Sequence, residues 1–511
     1  MLDFIGIGLG PFNLSLASLL HNKSTLNYAI FEQKAHFDWH AGMQLPNTVL
    51  QVPFMADLVS MVDPTSPFSF LNYLRHQQRL YKFYFLEQPH IPRCEYNHYC
   101  QWVAEQLDCI EYQSRVLTIE PQTIGFKVVV ESEGVQHSYL CRHLVIGSGN
   151  VPYLPECLAK VQQQQPQKCL HSAQYMTHAD TDLHGDVVVL GSGQSAAEVF
   201  IDLFDEQQDT ANHQFDLHWF TRSLGFFPME YAPLGLEHFS PDYAQHFYAL
   251  PAEKKEQQLQ QQSLLYKGIS AKTIREIYQK LYHRSIAGQS LQTHLHSQCD
   301  LKDAEVLDMQ KIRLHFQHRA TTQAFHLDCD FLVAATGYFT PDFGFMQLLK
   351  PYIEFDHKQR WQITEDYRVV HHLKGHIFVQ NQEMHSHGVG TPDLGLGAYR
   401  AATIINQLLG ESLYELDQQA QTFQHFELTQ NPKIQMADDQ ALSVDGVSEK
   451  AVSQNQSILK KTEQSTITTH AASRCANTRT QTVSVHCGHP WLIMSKGRMG
   501  FGYDDYLSSA P

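Results

Sequence analysis

An α/β fold with two Rossmann-like dinucleotide-binding domains is predicted by three features of this 511-residue sequence. A short apolar run at residues 2–7 leads into a glycine-rich turn and then into leucines at helical spacing. The same grammar recurs after residue 186, and each unit places a charged residue just past its second strand. Strand, glycine turn and helix in that order form the context in which such glycines carry meaning.

Taken in order, Leu2–Ile7 is the first strand, and Leu14, Leu16, Ala17, Leu19 and Leu20 mark a helix behind the turn. A second strand at Tyr28–Phe31 ends in Glu32. Further strands are expected at 127–130 and 144–146, and the proline- and glutamine-rich stretch 152–167 reads as a loop at a domain boundary. The second unit starts at Asp186–Leu190, turns through Gly191–Glu198 and continues to a strand at 217–220. From 226 to about 288 the pattern is helical, with Ile274, Ile277, Tyr278, Leu281 and Tyr282 at i, i+3, i+4 spacing. The strand at 331–335 is expected to return the chain to the first sheet. Domains then follow as 1–168 and 330–410 for the first unit, 169–329 for the second with a small helical substrate region at 226–290, and 411–511 as a C-terminal extension.

That extension has the composition of a disordered tail, rich in Ser, Thr, Gln and Asp from 431 onward. Residues 474–511 contain a single glutamine, as a shifted reading frame would produce, and a coding sequence without an upstream insertion or deletion would remove that hypothesis. His470, Cys475, His486, Cys487 and His489 match no zinc spacing, so no metal site is assigned.

Composition narrows the class. The 37 Lys and Arg against 53 Asp and Glu give a net charge of −16, which repels phosphate backbones and disfavours nucleic acid as a partner. Ten scattered cysteines include no C-x-x-C pair, so neither a disulfide scaffold nor a dithiol centre is indicated. No apolar run approaches eighteen residues and the opening lacks a basic start and cleavage site, so no membrane partner and a cytoplasmic location are expected.

In the first turn, Gly6 permits the chain reversal, Gly8 lets backbone approach a pyrophosphate, and Gly10, Pro11 and Asn13 open the helix whose amide end favours anions. Glu32 is placed to accept hydrogen bonds from ribose hydroxyls. The second turn carries Gly191, Gly193, Gln194 and Ser195, but Arg222 stands where a ribose-binding acid would be, which suits the 2′-phosphate of NADP. Two dinucleotide sites without a dithiol point to a flavoprotein that takes hydride from NADPH and passes electrons to an acceptor such as oxygen.

These motifs, with Gly-x-Gly-Pro-Phe-Asn-Leu at the start, Trp39-His40-Ala41-Gly42-Met43, Gln51, Asp57-Leu58-Val59, Asp63 through Tyr73, Ala335-Thr336-Gly337-Tyr338 and His387-Gly388, resemble the flavin-dependent N-hydroxylating monooxygenases of siderophore synthesis. The resemblance spans about residues 1–410. It implies FAD and NADPH as cofactors, with Trp39, His40, Met43, Gln51, Thr336, Gly337 and His387 on the cofactor side. It also implies a primary amine and O2 as substrates, flavin C4a-hydroperoxide chemistry without a protein nucleophile, and a homo-oligomer, a tetramer being one form.

In that family the amino-acid hydroxylases carry a lysine and a serine that hold the substrate α-carboxylate. The lysine position is Ala56 here and the serine position is Gly395, while Met229 in Phe227-Pro228-Met229-Glu230 replaces an asparagine of the ornithine enzymes. A buried carboxylate left without a partner is costly, so a decarboxylated amine such as putrescine or cadaverine is expected, its distal ammonium meeting Asp393 or Glu230. Lysine or ornithine with a relocated carboxylate site, and histamine, remain alternatives. A sulfur- or ketone-oxidising flavin monooxygenase shares the two glycine turns but not the segment from Asp63 to Phe70, and a flavin-binding module without activity would show no amine-stimulated NADPH oxidation.

Overall fold

The computed structural model describes residues 1–178, 183–209, 215–288, 291–307, 311–416 and 421–428. The extension from 431, with its histidines and cysteines, lies outside the described residues.

Strand β1 (Leu2–Ile7) feeds the glycine turn and helix α1 (Pro11–Leu20), in which every residue but Phe12 is buried, so this helix is core on all sides. Strand β2 (Tyr28–Phe31) pairs parallel to β1. Three helices follow a long irregular segment: α2 (Phe70–His76), α3 (Leu80–Leu86) and α4 (Arg93–Ala104). Phe70, Tyr73, Tyr96 and Tyr99 from α2 and α4 share one core with Leu14 and Leu16 of α1. Strands β3 (Ile110–Glu111), β4 (Ser114–Pro121), β5 (Phe126–Ser132) and β6 (Val135–Ile146) complete the sheet in the order β3-β2-β1-β6-β5-β4. The 12 residues of β6 serve two directions: its first half pairs antiparallel with β5 and its last half parallel with β1.

After the short strand β7 (Val151–Pro152), the stretch expected to be a loop forms helix α5 (Glu156–Gln164). Leu158 and Val161, three residues apart, are buried on its inner face, and glutamine is a good helix former, so the glutamine-rich composition disguised an amphipathic helix. Strands β8 (Cys169–His171) and β9 (Gly185–Leu190), helix α6 (Gln194–Asp209) and strand β10 (Phe215–Phe220) build the second unit. The expected helical region comprises α7 (Pro233–Leu236), α8 (Pro241–Ala249), α9 (Ala252–Gln261), α10 (Ser263–Tyr266) and α11 (Ala271–Arg284). Strand β11 (Thr293–His296) returns to the second sheet, and β12 (Cys299–Val306), β13 (Ile312–His318) and β14 (Ala324–Cys329) form a separate antiparallel sheet.

Strand β15 (Phe331–Ala334) corrects the expected boundary. It lies in the second, all-parallel sheet of order β11-β10-β9-β15-β8, with Phe331 opposite Val187 and Ala334 opposite Leu190. A strand buried on both faces reads as a continuous apolar run, and such a run does not say which parallel sheet it enters. The chain crosses back afterwards, where β16 (Tyr338–Phe339) pairs antiparallel with β7. It rejoins the first sheet only at β17 (Ile377–Val379), parallel to the end of β6. Helices α12 (Met384–His387) and α13 (Gly397–Leu409) follow, and α13 joins the core around α1. Among the described residues no helix is long and apolar enough to cross a membrane, and no group of three or more His, Cys, Asp or Glu is placed to hold a metal.

Candidate active site

The first glycine turn is fixed by close backbone packing. Gly6 lies inside β1 rather than in the turn, and a β-carbon there would come within 2.8 Å of Ile30 Cγ1, so its bareness serves the β1–β2 approach. Gly8 has φ +85°, and a β-carbon on it would meet the Gly147 carbonyl oxygen at 2.9 Å. Gly10 caps α1, Pro11 takes the first helical position, and nothing lies within 4 Å of where a Gly10 side chain would start. That open flank beside a helix N-terminus is room for an anionic group.

Two predicted polar residues frame this opening. Glu32 is buried at the end of β2 and its carboxylate accepts from the amides of Leu9 at 2.7 Å and Lys34 at 2.9 Å. One contact per oxygen leaves each with a free lone pair. Asn13, fully buried, donates to the Gly8 carbonyl at 2.7 Å and accepts from Gln380 Nε2 at 2.6 Å. It therefore clamps the turn to the end of β17. Around the same strand end, the buried atoms Gln380 Oε1, both side-chain polar atoms of Gln382, Thr391 Oγ1 and Arg400 Nε and Nη2 have no hydrogen-bond partner among the described residues. Buried polar groups are seldom left so, and a polar ligand would satisfy them.

The other residues expected near flavin divide between the turn and the junction of the two units. Trp39 packs edge-on to His40 and Tyr96, and its amide donates to Asn97 Oδ1 at 2.8 Å. His40 has left-handed backbone, φ 53°, and faces the Tyr338 ring at 6.2 Å. Met43 is buried in the core of the second unit. Thr336 donates to the Tyr153 carbonyl and Gly337 accepts from Tyr153 N–H at 2.9 Å, so both tie the chain just before β16 to the residue just after β7. His387 is held on both sides: Nδ1 contacts Ser386 Oγ at 2.9 Å, Nε2 contacts the Glu365 carbonyl at 3.1 Å, and the ring stacks on Tyr367. Burial pushes its pKa down to about 3, and its bonds make it a support for the following loop.

At the second turn Gly191 has φ +151°, and a β-carbon would strike the Ala335 carbonyl oxygen at 2.5 Å. Gly193 is open apart from the Gly268 carbonyl at 4.0 Å, and Ser195 sits in the first turn of α6. Gln194 is committed within the protein, donating to Glu198 and Thr273 and accepting from Ser270 N–H at 2.8 Å. It links α6 to α11. Arg222 is exposed beyond the end of β10 and has no ion-pair partner among the described residues.

The substrate candidates converge. Ala56 is buried, and a β-carbon added at Gly395 would lie 3.9 Å from that of Ala56 and 2.8 Å from Asp393 Oδ1. Gly395 therefore lies between the Asp393 carboxylate and the Ala56 methyl. Asp393 accepts from Gly395 N–H at 2.7 Å, yet burial drives its pKa up to about 6. Gln51 reaches Met229, with Nε2 3.8 Å from Sδ. Glu230 stands apart: it is exposed and accepts from the Ala232 amide at 2.7 Å, capping its own turn.

The profile of the L-lysine 6-monooxygenase/L-ornithine 5-monooxygenase family matches residues 1–340. The chain belongs to this family. Its relatives include the rhizobactin siderophore biosynthesis protein RhbE of Rhizobium meliloti, 41% identical over 83% of this chain and 95% of that protein. The putrescine N-hydroxylase of Shewanella oneidensis is 40% identical over 81% of this chain and 82% of that protein. Among solved structures, the FAD-bound cadaverine monooxygenase DfoA of the desferrioxamine pathway in Erwinia amylovora is 36% identical, with a TM-score of 0.78 over 83% of this chain and 98% of that one. This family member is thus an NADPH-dependent flavin N-monooxygenase that uses FAD.

The family motifs between 57 and 73 are scaffolding. Asp57 accepts from the amides of Val59, Ser60 and Phe70 and from Ser60 Oγ, and Ser69 caps α2. They pin the segment that carries Ala56. Sequence reasoning missed three supports. Arg93 on α4 grips Glu198 on α6 with two bonds of 2.8 and 2.9 Å, joining the two units. Arg400 pairs with Glu383, lies 4.3 Å over the Phe12 ring and donates to the Thr391 carbonyl at 3.0 Å. Tyr231 bonds His90 at 2.8 Å, and burial, with the charge of Asp393 behind it, raises its phenol pKa. Only Glu198 and Phe12 stood inside quoted motifs; Arg93, Arg400 and Tyr231 make contacts across long sequence separations and left no local pattern.

Proposed function

We propose that this enzyme N-hydroxylates one nitrogen of an aliphatic diamine, putrescine or cadaverine, in siderophore synthesis, and that it works in the cytoplasm. The observation that carries the substrate assignment is the Asp393 carboxylate against Gly395, the position whose added β-carbon would also touch Ala56. A substrate carboxylate brought there would meet like charge with no cation supplied by either position, whereas an ammonium would meet a partner. Names of relatives agree, two of them acting on putrescine and cadaverine. The eight described cysteines are all free thiols, as a reducing compartment favours.

FAD would be held at the first turn by Gly8, Gly10 and the amide end of α1, with Glu32 at the ribose, and with Gln380 and Thr391 satisfied at its edge. NADPH would be held by Gly191, Gly193 and Ser195, with Arg222 at the 2′-phosphate. Reduced flavin and O2 supply the activated oxygen atom. The chain then has two tasks. Asp393 fixes the distal ammonium and keeps that end protonated, because an adjacent anion favours the charged amine. The reacting end would be free of a carboxylate partner and desolvated against the flavin, which favours the neutral amine with a lone pair to oxidise. Gly395 belongs with Asp393, since a serine side chain at 395 would crowd its Oδ1.

Product formation with putrescine, cadaverine, lysine, ornithine and histamine, compared under one set of conditions, tests the assignment. Either diamine should give the highest kcat/KM for hydroxylated product. Faster hydroxylation of lysine or ornithine than of both diamines would refute it.

A further inference from the structure

Residues 421–428 form the outermost of three layers behind the loop that carries Asp393. Glu237, in the turn before α8, accepts from the backbone amides of Phe423 at 2.9 Å and Gln424 at 3.0 Å, one on each carboxylate oxygen. Asp242, in the first turn of α8, accepts from the amide of Gln421 at 2.6 Å and from Thr422 Oγ1 at 2.9 Å. Hydrogen bonds with one ionised partner are about twice as strong as neutral ones, so this short segment is tied to α8 at two points. The ties turn one ring inward. Phe426 lies 4.9 Å from the Tyr243 ring, 5.3 Å from that of His238 and 6.0 Å from that of His246, whereas Phe423 is 90% exposed.

The middle layer is α8. Tyr243 and Phe247, one helical turn apart, are buried with Val389 in a small cluster of their own, and Phe426 and Phe239 pack against it. The innermost layer is the chain that leaves α12. Gly388 has φ +85°, and a β-carbon on it would come within 3.0 Å of Phe247 Cγ. At Gly390 a β-carbon would strike Leu396 Cδ1 at 2.5 Å, with Phe239 Cα 3.6 Å away. Bare glycines thus let this loop lie directly on α8 and the turn before it. Its own backbone carries the placement onward: Thr391 donates to the Gly388 carbonyl at 3.3 Å and Asp393 to that of Gly390 at 3.0 Å.

We propose that Phe426 is a positioning residue for the amine: by packing α8 against residues 388–393, it fixes where the Asp393 carboxylate stands. This inference rests on the reading of Asp393 as the carboxylate that meets the substrate. Protein interiors are packed as densely as organic crystals, so a gap opened in one layer shifts the next. A misplacement of about 1 Å at the reacting centre can cost about 100-fold in rate. With the Phe426 ring removed, Tyr243 and α8 lose their outer support and the loop relaxes with them. The glycine turns at Gly8 and Gly191 open α1 and α6, which take no part in these layers.

Steady-state kinetics of the FAD-loaded full chain test this, with whichever amine the wild type hydroxylates best. Phe426→Ala should raise KM for that amine at least threefold and lower the hydroxylated product formed per NADPH oxidised, with FAD content and KM for NADPH unchanged. Phe426→Leu, which refills most of the site, should restore both values, and Phe423→Ala should alter neither. Glu237→Gln weakens the outer tie and should move the amine KM in the same direction by a smaller factor. A rise of less than threefold in Phe426→Ala would overturn the proposal. So would a parallel loss of FAD and rise in KM for NADPH, since the segment would then only hold the fold together. Failure of the diamine assignment would show instead in the wild type, as a preference for lysine or ornithine.

Discussion

At the scale of single residues, Asp393 and Gly395 carry the specificity argument. Asp393→Asn keeps the shape and removes the charge. A hydrogen bond to a charged group contributes about 1.5–3 kcal/mol, so kcat/KM for putrescine or cadaverine should fall roughly 10- to 100-fold, mainly through KM, in steady-state assays of hydroxylated product. The pH dependence has a definite sign. Burial raises the Asp393 pKa to about 6, so the carboxylate is ionised above that value and neutral below it. The ratio of wild-type to Asp393→Asn kcat/KM should therefore be large at pH 7–8 and shrink toward unity as pH falls through about 6. A ratio that is flat with pH would remove Asp393 from the substrate site. Gly8 makes a separate prediction: alanine there combines φ +85° with a carbonyl oxygen 2.9 Å from the new β-carbon. Left-handed backbone alone costs a non-glycine residue about 1–2 kcal/mol, so Gly8→Ala should lower both FAD content and the melting temperature.

At the scale of elements, the link between α4 and α6 is the feature with the clearest energetic consequence. The Arg93 and Glu198 side chains are 12% and 4% exposed and doubly bonded. Removing one partner of a buried pair typically costs about 3–5 kcal/mol. Arg93→Ala should lower the thermal midpoint by several degrees in a melt followed by flavin fluorescence, and Arg93→Ala with Glu198→Ala should recover part of that loss. Elements whose signal is local were legible in the sequence: β1 and α1, β9 and α6, and the amphipathic α11 with Ile274, Ile277 and Leu281 packed inward. α5 was hidden because proline and glutamine suggest a loop, although only two buried residues on one face are needed to seat a helix. α3 was passed over because an apolar run signals burial, and its exposure is a fact of three dimensions.

For the whole molecule, the chain visits the first sheet, leaves through β7, builds the second unit and returns through β16, which pairs with β7. The two crossings thus lie side by side, and Gly337, with φ +90°, accepts from Tyr153 N–H there. Two dinucleotide units were legible because each glycine turn, helix and second strand is contiguous. The sheet to which β15 belongs was not, since strand order is a long-range property that an apolar run does not encode. By contrast, the sequence offered Asp393 and Glu230 as equal candidates for the distal ammonium, and only the fold puts Asp393 at Gly395 and leaves Glu230 exposed on its own turn. The second unit makes its own prediction: Arg222→Ser should raise KM for NADPH about tenfold or more and leave that for NADH nearly unchanged, since one charge-assisted contact to the 2′-phosphate is lost.

The central claim is that the second ammonium of the substrate is recognised by a carboxylate. It is tested most directly by the ratio of kcat/KM for cadaverine to that for pentylamine, a chain of the same length without the second nitrogen, with putrescine and butylamine as the parallel pair. At least one of the two ratios should exceed about tenfold at pH 7.5 and should collapse toward unity in Asp393→Asn, in line with a contact of about 1.5–3 kcal/mol. Monoamines used as well as diamines by the wild-type enzyme would contradict it.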